Sequence, residues 1–588
     1  MLTPEYLDVC ASDLVAIYSE LDQSILALIA ARIAKTNYVG DTSKWQIERL
    51  QEAGLLYEEV IAAIARYSGI SQDELRKMFA AAGVETITAD NAIYTKAGLH
   101  PTGIKQSSAM TQVLRAGLKK TGGSLKNLTM TTAITAQTAY INASNLAYMQ
   151  ITSGAMSMPE AVRHAVRSAV KQGTTVRYPS GHTDQLDVAV RRASVTGVNQ
   201  TCAEIQLANA EDMGCNHVET TAHIGARPSH AEWQGRVFMI VGSSREYPNL
   251  AEATGYGTGD GLCGWNCRHN FFPFFEGIDL RTYRDEDLEK LKNDGYYEAE
   301  QHQRKLERDV RATRRELAGY DAAIAAATDE KTRAALQQEF DRASVKLKKQ
   351  EGKLKDWIKE KELTPDPSRV QINGFGRSVS QKAVWANKQV QQNIAFQQTL
   401  SDRFGIDAKG FETYRGSKTV LDEMVGTIEK LHADFPDDVG KMKLRYADLK
   451  NAEDFGQYDP KTKAISLNRQ LFDDTTLLKS EYEKLVQSGH YPKGTDYKSV
   501  IVHEFGHQYD YAHELGTGKI LRDGYRSITG NNPSSGKIKI MLQSQVSLYS
   551  AFDTGKPHTE AIAECFNQWY NSDEQSDICK YVMNQLLG

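Results

Sequence analysis

Cysteine is scarce in this chain of 588 residues. Seven are scattered between Cys10 and Cys579, too few and too odd in number for a disulfide framework, so a reducing compartment is expected. A basic field is missing too. With a formal charge of -5 and a pI near 6.3, the chain has no global surface to hold nucleic acid by counterion release, which leaves only local contacts with DNA. The opening stretch MLTPEYLDVCASD has no basic segment followed by an apolar run, so it does not read as a secretory signal. The most apolar early run, Ile25 to Ile33, is about half of what a bilayer requires and reads as a buried helix, so no membrane anchor is expected.

What is present is an ordinary globular balance, 40% hydrophobic and 25% charged, with length for three or four domains. Thr3-Pro4 is a helix cap and first-turn pair, and Ile17, Leu21, Ile25 and Leu28 follow at helical steps, so residues 1–100 read as a helical arm. Residues 100–180 add further helical pattern, rich in small residues, ending near AVRHAVRSAVKQGTTVRYPSG. From 174 to 280, short strand-like runs (TTVRYP, HVETTAHIG, GRVFMIVG) alternate with glycine-rich turns.

The composition then shifts to charge and alanine. Leu306, Val310, Leu317, Tyr320 and Ile324, then Leu336, Phe340, Ala343, Leu347 and Leu354, mark two heptad seams, the first interrupted by Thr313. Between them ATDEKTR supplies a stop and a new cap. The spacing predicts an antiparallel helical hairpin serving as a spacer or assembly element. LTPDPSRVQINGFGRS, rich in proline and glycine, reads as a linker into a last domain.

Inside SVIVHEFGHQYDYAHE, His503 and His507 lie one helical turn apart and can chelate one cation. A hydrolytic zinc site needs three protein ligands and an open position, so a third ligand must come from elsewhere. Glu504 stands where a general base for the zinc-bound water would stand. Downstream, KPHTEAIAECFNQWY places Glu560 and Glu564 on one helix face, and one of these carboxylates can complete the site. Asp510 is a candidate acceptor for the free N–H of a ligating imidazole, and Tyr549 a candidate donor to an oxyanion.

A second dense region spans HVETTAHIGARPSHAEWQGRVF and YGTGDGLCGWNCRHNFFPFFEG. Gly259–Gly264 formally matches a dinucleotide fingerprint, but neither a clear strand before it nor a convincing helix after it supports that reading. Cys263, Cys267 and His269, with His230 or His223, are a candidate zinc set. Their spacing fits no standard site, and a packed turn is the favoured reading.

HEFGHQYD followed by SLYS and EAIAECF resembles the zincins that take their third ligand from a glutamate on a later helix, and among them the anthrax lethal factor catalytic domain. The resemblance covers about residues 498–572. It implies a zinc peptidase with ligands His503, His507 and Glu560, base Glu504 and oxyanion donor Tyr549, with Asp510 and Glu564 behind the ligands. Residues from near the start to about 375 resemble the phage minor capsid protein 2 family and the related MuF-like head proteins. The likeness rests on HIGARPSHAEWQGRVF, YGTGDGLCGWNCRHNFFPFFEG and YYEAEQHQRKLERDVRATRREL.

The expected fold is therefore multidomain α+β. It comprises an N-terminal helical arm (1–100), a mixed α/β MuF-like module (101–280), an antiparallel coiled-coil hairpin (281–365), a linker (366–377) and a mainly helical zincin-like domain (378–588). The resemblances imply a multicopy head protein of the virion, assembled in the host cytoplasm and placed in the capsid interior or at the portal vertex. Its partners there would be the portal protein and other head proteins, with packaged DNA nearby. The Zn2+ peptidase would act on an unidentified peptide or protein, as an effector delivered with DNA or as a head-processing enzyme. The competing expectation is a purely structural head protein whose HExxH domain is inactive or only zinc-stabilised.

Overall fold

The computed structural model describes residues 2–36, 42–292, 295–553 and 558–587. It is mostly helical, 67% of residues, with small sheets, and divides into two compact units, Met1–Ala386 and Asn387–Gly588. Each unit has its own hydrophobic core.

The first unit is built from long helices, Ser12–Ala34, Thr42–Lys96, Ser108–Thr152, Met158–Gln172 and Leu186–Asp212, followed by the pair Tyr296–Ala326 and Glu330–Glu360. Thr3 caps a short helix at its start, accepting from the Tyr6 N–H at 3.2 Å. By length and composition Pro4–Ala34 is long and apolar enough to cross a membrane, more than the run Ile25 to Ile33 suggested. Its residues Leu21, Ile25, Leu26, Ile29 and Ile33 are buried in the first unit's core.

Two small sheets break the helical pattern. Strands β1 (Thr175–Arg177) and β2 (Thr183–Gln185) form an antiparallel pair; β3 (His217–Thr220) runs antiparallel between β4 (Val237–Met239) and β5 (Phe271–Pro273).

The paired helices begin at Tyr296, later than the shift in composition at 281. They turn at the expected segment: Ala327 ends the first helix, and the Asp329 carboxylate caps the second by accepting from the Thr332 N–H at 2.8 Å. Val310, Leu317, Tyr320, Leu336, Phe340, Ala343 and Leu347 are buried along the seam, while Leu306, Ile324 and Leu354 are partly covered. Thr313 is buried too, and donates its hydroxyl to the Asp309 carbonyl at 3.2 Å, which is how a polar residue is tolerated there.

The hairpin, read as a spacer or assembly element, is packed into the first unit. Arg315 is buried and reaches Asp22 at 2.8 Å on Ser12–Ala34 and Asp187 at 3.4 Å on Leu186–Asp212; Arg311 adds a contact to Asp187 at 3.2 Å. Burial pushes Asp22 up to about 6 against the pull of Arg315, whereas for Asp187 burial is outweighed by Arg311 and Arg315, and its pKa falls. The expected linker 366–377 is packed as well. Ile372 is buried, Arg369 pairs with Asp8 at 3.3 Å, and Asn373 donates to the Ala16 carbonyl at 3.1 Å. The division between units falls instead inside the helix Arg377–Phe404: Val379, Ala383 and Ala386 belong to the first core, and Phe396, Leu400 and Phe404 to the second.

The second unit carries a sheet that the expectation of a mainly helical domain does not include. Its strands β6 (Asp407–Lys409), β7 (Lys443–Ala447), β8 (Gly456–Asp459) and β9 (Ala464–Asn468) lie in the order β6-β7-β9-β8. The first two pairings are parallel, and β8 runs antiparallel to β9 at the edge. Helix Ser499–His513 packs beside β8 and β9, and Thr559–Asn571 packs against that helix.

Truncating Arg315 leaves Asp22 buried without its main cation and removes one of the two arginines that hold Asp187. Arg315→Ala is expected to lower the stability of the first unit by about 3–5 kcal/mol, measured by denaturant unfolding. Adding Asp22→Asn is expected to recover part of that loss.

Candidate metal centre

The helix Ser499–His513 is anchored by its apolar face. Val500, Ile501, Val502 and Phe505 are buried, and Phe505 and Tyr509 meet Phe435 and Phe566 in an aromatic cluster with ring centroids 4.9–6.3 Å apart. The helix ends at Glu514, whose φ of 48° breaks the right-handed run. Gly506 has a packing role that the motif alone does not reveal. A Cβ there would sit 2.8 Å from the Ala563 Cα on Thr559–Asn571, so glycine allows the backbones of the two helices to approach closely.

That approach brings the candidate ligands together. His503 Nε2 and His507 Nε2 are 3.1 Å apart, and each lies 3.2 Å from Glu560 Oε2. His503 Nδ1 lies 2.7 Å from Glu564 Oε1, so its proton is directed to that carboxylate and its Nε2 lone pair faces the other two ligand atoms. Glu564 is fully buried and held in turn by the Ser547 hydroxyl at 2.7 Å and the Asn567 amide at 3.3 Å. Neither Ser547 nor Asn567 carries a motif signal; only the folded distances identify them.

Such a cluster of lone pairs requires protons or a cation. Burial opposes charge on His503, but the hydrogen bonds to Glu560 and Glu564 outweigh it and hold its pKa well above the ordinary value. Glu560 is the mirror case: burial raises it, and His503 and His507 outweigh that and lower it. A tetrahedral zinc at about 2.0–2.2 Å from each atom would set its ligands about 3.3–3.6 Å apart, close to the triangle observed. The donor set therefore fits Zn2+.

Glu504, on the same helix, lines the same cleft. Burial raises its pKa, while His503 and His507 pull it down and the Tyr458 backbone N–H on β8 donates to it. Gly456 makes room for it: a Cβ there would lie 2.8 Å from Val500 Cγ1 and 3.1 Å from Glu504 Cγ. The cleft has a volume of about 480 Å3, and Tyr458, Tyr491, Tyr511 and Tyr549 are among its walls. Tyr549 stacks on His490 at 5.0 Å and lies 5.7 Å, ring to ring, from His503. Asp510 is buried a turn beyond His507 and accepts from the Thr517 hydroxyl at 3.2 Å.

Residues 2–359 match the phage minor capsid protein 2 family, and the chain belongs to that family. It is a structural protein of the virion. A protein described as "Structural protein" from Lactococcus phage LL-H is 26% identical over 282 residues, covering 46% of this chain and 75% of its own length. Another of the same description, from Lactococcus phage mv4, is 36% identical over 66 residues, 11% of this chain and 51% of its own. No solved structure matches significantly. The metal cluster of the second unit lies beyond the end of the family match.

Glu564→Gln is expected to weaken zinc binding about 10–100-fold, read by competition with a chromophoric chelator. Gly506→Ala is expected to cost about 1–3 kcal/mol of stability in the second unit, read by denaturant unfolding, because the helices must separate.

Proposed function

We propose that this minor capsid protein carries a zinc-dependent peptidase in its second unit. The observation that supports this best is the triangle of His503, His507 and Glu560 with Glu504 beside it in one cleft. Edge strand β8 adds to it. Among the described residues β8 pairs with β9 alone, and its residues Gly456, Gln457 and Tyr458 line the cleft, so an extended peptide would add along it through main-chain hydrogen bonds.

Bound there, zinc would supply Lewis-acid polarisation of a scissile carbonyl and of a water. Glu504 would take the proton of the attacking water and return it to the leaving amine. Glu564 would hold His503 in one tautomer and one orientation, with Ser547 and Asn567 fixing Glu564 itself. Tyr549, on the cleft wall, would donate to the developing oxyanion.

In the virion the protein would sit in the capsid interior or near the portal vertex, in contact with the portal protein and other head proteins and with packaged DNA nearby. The peptidase would then act on a head protein during assembly or on a host protein after delivery.

Zinc-loaded full-length protein is expected to cleave members of a fluorogenic peptide library. Glu504→Gln should retain its zinc and lose about 10²–10⁴-fold in rate. Retained cleavage in Glu504→Gln, or no cleavage by a zinc-loaded wild-type chain across the library, would count against the reading.

A further inference from the structure

The first unit contains a second convergence of metal-binding atoms. His230, on the short segment Pro228–Ala231, and Cys267 and His269, in the loop before β5, are all buried, and their candidate ligand atoms lie within 4.8 Å of one another. Cys267 Sγ is 3.8 Å from His230 Nδ1 and 3.7 Å from His269 Nδ1.

The outer nitrogens decide what the inner ones are. His230 Nε2 lies 2.8 Å from the Asp260 carbonyl oxygen, which can only accept, so Nε2 carries the proton. His269 Nε2 lies 3.1 Å from Gln234 Oε1, and the backbone N–H of His223 donates to that same oxygen at 3.1 Å, which fixes the amide with its oxygen inward. Both rings, when neutral, therefore turn unprotonated Nδ1 atoms toward one sulfur. A thiol has one proton for two lone pairs. The backbone N–H of His269 also donates to Cys267 Sγ at 3.4 Å, a contact that suits a thiolate.

This is the outer-shell arrangement of ligating histidines, with each far N–H held by a fixed acceptor. Zinc bonds of about 2.3 Å to sulfur and 2.0–2.1 Å to nitrogen would place S and N about 3.5–3.6 Å apart, close to what is found. Asn199, buried behind the loop, holds it by donating to the Cys267 carbonyl at 3.2 Å and the His269 carbonyl at 2.9 Å. Cys263, the other cysteine of the motif, instead points its sulfur at the His269 carbonyl, 3.6 Å away, and is not part of the cluster.

We propose that His230, Cys267 and His269 form a zinc site in the capsid unit, separate from the HEFGH site and independent of any peptidase activity. All three line a cleft of about 300 Å3 together with His223, Arg227 and Arg268, which leaves the fourth coordination position to water from that cleft. Bound there, the ion would tie the short helix Pro228–Ala231 to the loop before β5, in a region whose strands are only three or four residues long.

Cobalt substitution separates the two sites, because His503, His507 and Glu560 contain no sulfur. Full-length protein freed of metal and titrated with Co2+ is expected to develop a thiolate-to-cobalt charge-transfer band. The band should persist in His503→Ala/His507→Ala and disappear in Cys267→Ser, and His269→Gln should weaken binding at least about tenfold. No such band in the folded wild-type chain would overturn the proposal, even if Cys267→Ser failed to fold. A band that survives Cys267→Ser would overturn it as well.

Discussion

The candidate metal centre depends on one close contact, the approach of Ser499–His513 to Thr559–Asn571 where Gly506 meets Ala563. Because helical residues four apart share a face, the first helix presents His503 and His507 together, and the second presents Glu560 and Glu564 together. The crossing then matches one pair to the other. Glu560 reaches the two Nε2 atoms, and Glu564 reaches the far side of His503. A side chain at position 506 would separate both sets of contacts at once.

Much of this was legible in the sequence, because the chemistry lies in short local patterns. HEFGH specifies a chelating pair and a neighbouring carboxylate, and the Glu560/Glu564 spacing marks a second helix with two candidate oxygens. The hairpin was equally readable, since heptad seams and the Asp329 cap are local signals. What stayed hidden was set by contacts distant in sequence. Nothing near Arg315 indicates that Asp22 and Asp187 surround it, so the hairpin's burial in the first unit was not readable. The segment 366–377 read as a linker because proline and glycine also build packed irregular chain. Strand β8, Gly456–Asp459, carries too little apolar pattern to announce itself, although it forms a wall of the cleft. Cys263, Cys267 and His269, with His230 or His223, read as a packed turn because their spacing fits no standard motif. The tautomers of His230 and His269 are set by Asp260 and Gln234, contacts that the spacing does not show.

The two units present different physical problems. The first belongs to a virion protein family and buries its hairpin with an internal network of Arg311, Arg315, Asp22 and Asp187. Such a network specifies which helix faces meet, since a shift of one turn would leave charges buried without partners. The second unit uses its buried charge differently, converging acceptors and histidines on one point beside a cleft. Burial without a cation makes that convergence costly, and a bound ion would relieve it.

Anomalous scattering at the zinc edge, recorded from crystals of the full-length protein grown with zinc, tests the central claim most directly. The account predicts a peak bonded to His503 Nε2, His507 Nε2 and a Glu560 oxygen at about 2.0–2.2 Å, with Glu564 still on His503 Nδ1. A map with the two helices packed as described and no peak among these three residues would contradict it.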